Sequence, residues 1–72
     1  MTFKGVLLAE FERSPGQTIK IHKTEYMGKQ NIDFRLFLTS SNQHTIKGFN
    51  IPVSKLPDFL IAMNDAAEKA CR

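Results

Sequence analysis

The hydrophobic period of this chain changes once, at Pro52, and that single change limits what the chain can build. Beyond it, Leu56, Phe59, Leu60, Met63, Ala67 and Ala70 recur at spacings of three and four, the signature of a helix with one apolar stripe. Before it, alternating runs rich in β-branched and aromatic residues are separated by Gly, Pro, Ser and Asn, and these read as strands. The order is therefore strands first and one helix last: an α+β domain in which a C-terminal amphipathic helix follows a four-stranded, antiparallel sheet. One helix covers one face of such a sheet, so the other face is left for a partner or a ligand.

The first predicted strand spans about residues 3–12, where the continuous run Val6-Leu7-Leu8 suits a strand buried on both faces. Ser14-Pro15-Gly16-Gln17 then places Pro and Gly as a type II turn requires. The second strand, about 18–26, alternates, with Ile19 and Ile21 on one side and Lys20, His22, Thr24 and Tyr26 on the other. Gly28 supplies the positive φ of a tight hairpin into the third strand, about 31–39, where Ile32, Phe34, Leu36 and Leu38 oppose Asp33, Arg35 and Phe37. Ser40-Ser41-Asn42-Gln43 favours a loop, and a fourth strand follows at about 45–51, with Gly48 marking a bulge or a close approach to the backbone.

The helix is predicted over about 54–70, capped by Ser54, with Pro57 and Asp58 early and Lys69 and Arg72 late, as the macrodipole favours. It should cover Ile19, Ile21, Ile32, Phe34 and Leu36, with Leu56, Phe59, Leu60 and Met63 forming the packing and dimer surface. Lys20, His22, Tyr26, Arg35 and Phe37 should then be accessible on the opposite face.

With 72 residues the chain makes a single domain, 1–72, whose core is small. Its one cysteine, Cys71, excludes an internal disulfide and has no companions for a zinc site, so a homodimer is the expected source of further burial. Neither a membrane span nor a cleavable signal is legible, and an unpaired thiol suits the cytoplasm. Catalysis is not expected: His22 and His44 stand alone and no nucleophile is placed beside a base, so no catalytic residue, metal ligand or cofactor is assigned.

The formal charge is +3, and its placement matters more than its size. Charges at the two ends cancel, whereas in the middle strands Lys20, Lys23, Lys29, Arg35 and Lys47 outnumber Glu25 and Asp33. Single-stranded nucleic acids are held by cations along the phosphates and by rings on which unpaired bases stack, here Tyr26, Phe37 and Phe49. Tyr26 is the best platform, beside Gly28 and Lys29. The competing reading is a protein-interaction module that docks a partner on the sheet face or edge.

Tyr26-Met27-Gly28-Lys29, Ile32-Asp33-Phe34-Arg35 and Lys47-Gly48-Phe49, followed by an amphipathic helix, resemble the positive cofactor four family of transcriptional coactivators and its bacterial and phage relatives, over about residues 19–67. The resemblance implies a homodimer in which two curved sheets present channels to single-stranded DNA, with helices at the dimer contact, acting in transcription, replication, recombination or repair. It implies a stacking role for Tyr26, phosphate or base contacts for Lys29, Arg35 and Lys47, and a framework role for Asp33 beside a cation. Lys20, His22 and Phe37 join the candidate interface from strand alternation. Met27, Thr24 and Leu38 depart from the family pattern. The resemblance is to the compact bacterial or phage form, whose setting would be the cytoplasm and nucleoid, with RNA as a competing ligand and transcription or replication proteins as further partners.

Overall fold

A computed structural model describes residues 5–72. Four strands, β1 (Val6–Ser14), β2 (Gln17–Tyr26), β3 (Lys29–Leu38) and β4 (Gln43–Pro52), form one antiparallel sheet in the order β1-β2-β3-β4. A short 3-10 turn, Val53–Lys55, leads into helix α1 (Leu56–Ala70). Residues 3 and 4 of the expected first strand lie outside the described residues.

Local turn chemistry sets the connections. Gly16 has φ of 82° in the first turn, and the β2–β3 hairpin turns on Met27 (φ 53°) and Gly28 (φ 77°) with Tyr26 paired to Lys29. Positive φ at both central residues is the type I′ geometry, whose twist matches that of the strands it joins. The β3–β4 turn closes with Asn42 at φ 54°, its N–H donating to the Leu38 carbonyl at 2.7 Å.

The register fixes the two faces. Ile19 pairs with Leu36, Ile21 with Phe34, and Phe34 in turn with Phe49, so these side chains share one face, joined by Ile32 and Ile51. Lys20 pairs with Arg35, His22 with Asp33, and Thr18 with Phe37, which builds the other. Helix α1 meets the first of these faces, as its apolar stripe predicts: Phe59 stacks on Phe34 with centroids 5.0 Å apart, and Phe34 meets Phe49 edge-on at 4.9 Å.

Three details differ from the sequence reading. Helix α1 touches the sheet through its first turns only: Leu56 and Phe59 are half-buried, whereas Leu60 and Met63 are exposed (58% and 51%), as is every residue after them. Ser54 does not cap α1; the 3-10 turn intervenes, Lys55 occupies the cap position, and no side chain bonds the helix start. Strand β1 is an edge, not an interior strand, and Val6, Leu7 and Leu8 are exposed there. Their continuous run has a different cause: the register skips Leu8 between Leu7 opposite His22 and Ala9 opposite Ile21, so a bulge absorbs the extra apolar residue.

Candidate nucleic-acid interface

The hairpin tip carries the groups most available to a ligand. The Tyr26 ring is 72% exposed, Met27 beside it is exposed, and Lys29 is exposed across the turn, on the same side of the sheet as Tyr26 by register. The two-residue turn leaves no slack between ring and ammonium, so the pair is presented at the end of two paired strands rather than on a loop.

Further down that face the expected site residues interlock with one another. Phe37 is 5% exposed and His22 7%, so neither ring is the accessible platform that alternation suggests. Alternation assigns a side chain to a face, and here the neighbours on that face cover one another. His22 stacks on Phe37 with centroids 5.7 Å apart, His44 approaches from β4 at 6.0 Å, and the Lys20 ammonium lies 4.9 Å from the Phe37 centroid. Such a cation over a ring face is attracted by the ring quadrupole. Lys20 also donates to Asn42 Oδ1 and sits 3.8 Å from Glu10, which makes it part of the packing of this face.

Burial lowers the His22 pKa below its ordinary value; Asp33 opposes that shift, Lys20 reinforces it, and Glu10 opposes it weakly. The neutral imidazole is thus the form this packing favours.

Asp33 is 4% exposed and holds the Arg35 guanidinium as a two-pronged pair, Nη2 to Oδ1 at 2.9 Å and Nε to Oδ2 at 3.2 Å. These bonds raise the Arg35 pKa further above its already high value. The third nitrogen, Nη1, crosses to β4 and donates to the carbonyls of Ile46 (3.2 Å) and Thr45 (3.4 Å). Gly48, opposite Arg35, makes that crossing possible: a Cβ there would overlap the Phe34 carbonyl oxygen and lie 3.1 Å from Arg35 Cζ. The glycine marks both a bulge and a close approach, the approaching group being this chain's own arginine.

Lys47 is not on this face. Because Phe49 pairs with Phe34, Lys47 two residues earlier follows it to the helix-bearing side, where it and Arg13 help line an open concavity of about 270 Å³ floored by Ile19, Phe34, Leu36 and Phe49. The surface predicted to hold Tyr26, Arg35 and Lys47 together is therefore divided by the thickness of the sheet. Phe49 is half-exposed in this concavity and touches both Phe34 and Phe59. Arg13, oriented by a hydrogen bond to Gln17 Oε1, was not a sequence candidate, since its charge is balanced by Glu12 nearby.

Compared with family models, curated proteins and solved structures, the chain matches none.

The electrostatics of the site rest on which cations are already paired. Among the described residues, the ion pairs join Lys20 to Glu10, Arg35 to Asp33, Lys69 to Asp65 and Arg72 to Glu68, leaving Arg13 and Lys55 and, within the central strands, Lys23, Lys29 and Lys47 outside them. The three lysines of the central strands are exposed. Unpaired ammonium groups on a sheet are what a polyanion displaces counterions to reach. No helix among the described residues is long and apolar enough to cross a membrane.

Proposed function

We propose that this protein is a sequence-tolerant single-stranded DNA-binding homodimer that serves transcription or DNA replication, recombination or repair in the cytoplasm. The observation that carries the reading is the hairpin tip, where an aromatic ring 72% exposed to solvent stands beside an exposed lysine on paired strands. A large ring held out in water has no packing role there, and beside a cation it suits a base that stacks while its phosphate meets the ammonium. Lys23 and Lys47, exposed and outside the ion pairs of the described residues, add positive potential on the opposite, helix-bearing side of the sheet.

The homodimer is supported by the helix. Leu60, Ile61 and Met63 are exposed at 58%, 69% and 51%, and only three large apolar side chains among the described residues are buried, none of them completely: Ile32, Leu36 and Phe37. A chain of this size with so little core gains stability by covering such a stripe with a second copy.

Titrating a labelled single-stranded oligonucleotide tests the function directly. Binding that weakens as salt rises, and that exceeds binding to a blunt duplex of the same sequence, is the expected result. Equal affinity for duplex, or no affinity for either, would leave the protein-interaction reading, which the exposed apolar edge strand at Val6, Leu7 and Leu8 favours.

A further inference from the structure

Opposite the single residue Leu36, strand β4 places three. The register runs Arg35 to Gly48 and Phe37 to His44, so Thr45, Ile46 and Lys47 form an expanded bulge. A bulge leaves ladder groups without their strand partners, and side chains supply them here. Arg35 Nη1 donates to the Thr45 and Ile46 carbonyls, and Thr45 Oγ1 donates to the Leu36 carbonyl at 2.9 Å while accepting the Lys47 N–H at 3.1 Å. The peptide unit leading into Lys47 is held at both its polar groups: the Lys47 N–H by Thr45, and the Ile46 carbonyl by Arg35.

We infer that Arg35 is a positioning residue, which acts through the bulge to fix Lys47 for a phosphate on the far side of the sheet, rather than a phosphate contact itself. The inference rests on the nucleic-acid reading above. Its basis is how four of the five N–H donors of the guanidinium are spent. Two donate to a carboxylate that is itself almost wholly buried, and Nη1 spans two backbone carbonyls. The charge is balanced by Asp33 at 2.9 Å, so little field is left for an incoming anion. Lys47, in contrast, is exposed and in none of the ion pairs among the described residues. Thr45, which no sequence signal singles out, completes the clamp from below.

The two roles separate by charge and by coupling. Arg35→Lys keeps the charge but removes the fork that reaches Asp33 and β4 together. If Arg35 positions Lys47, Arg35→Lys should flatten the slope of log affinity against log salt by about 0.7, as Lys47→Ala does, and the double variant should lose no more than either single one. Thr45→Val removes no charge and leaves Arg35 in place, and it should give the same loss of slope. In amide exchange, the Lys47 N–H should lose protection about tenfold or more in Arg35→Lys and Thr45→Val.

Parent-like slope in Arg35→Lys, or slope losses that add in the double variant, would overturn the inference. Should Arg35→Lys fail to fold, Thr45→Val alone decides between these outcomes. If the parent chain does not bind the oligonucleotide, the nucleic-acid reading fails. Unchanged Lys47 exchange in both variants would separately reject the clamp.

Discussion

Phe59 stacks on Phe34 at 5.0 Å with ring planes 29° apart, and this contact ties the first turns of the helix to the sheet. Neighbouring α1 positions beyond it face solvent, so the helix is anchored at one end. Phe59→Ala should therefore cost about 2 kcal/mol in urea unfolding, the order expected for exposing one large apolar side chain. Leu60→Ala in dilute, monomeric protein should cost far less. Equal losses from the two would contradict the one-ended anchoring.

The exposed stripe makes its own prediction. The parent should scatter light as a particle of twice the 8.2 kDa chain at micromolar concentration, and Leu60→Asp or Met63→Asp should return it to one chain. A charge on the stripe would have to be buried unpaired in the assembly but lies in water on the single chain. A parent that scatters as a single chain would remove the dimer from the proposal.

At the hairpin tip, stacking and charge should separate cleanly. Tyr26→Ala should weaken single-strand binding by about 1 to 3 kcal/mol with the salt dependence preserved. Lys29→Ala should do the reverse, flattening the log–log salt slope by roughly 0.7. If Tyr26→Ala binds as the parent does, the exposed ring is not a platform.

Acid should loosen the fold through His22. Its folded pKa lies below the ordinary 6.5 because of burial, so the unfolded chain takes up the proton first as pH falls. The stability due to the neutral ring is complete above about pH 6.5 and is lost as pH falls from there toward the folded pKa. The charged or titratable groups around it are Glu10 from β1, Lys20 from its own strand, Asp33 and Arg35 from β3, and His44 beyond Phe37 on β4. Thermal midpoints taken on either side of pH 6.5 should differ more for the parent than for His22→Gln.

The parts of this fold legible in the sequence are those decided over a few residues. Pro15-Gly16 and Gly28 turn where their backbone chemistry says they should, although Met27 takes a positive φ that its own does not favour, and the period change at Pro52 marks the helix to within the span of a short 3-10 turn. Alternation also assigns the faces of β2 and β3 correctly.

What it does not carry is what lies above each face. Phe37 and His22 stand where alternation puts them, yet Lys20 and His44 close over the rings, and that depends on pairings across three strands. The side of Lys47 follows from Phe49 meeting Phe34, a register that β4 alone does not reveal. The apolar run in β1 reads as an interior strand because a bulged edge produces the same run of letters.

Both outer strands of the sheet carry such an interruption, β1 at Leu8 and β4 at Thr45 to Lys47. A regular outer strand offers evenly spaced N–H and C=O groups on which another chain can crystallise into an endless ribbon. Here any added strand loses step partway along, on either margin. Sideways growth of the sheet is thus interrupted at both margins, whereas the proposed pairing of two copies through the helix would close on itself.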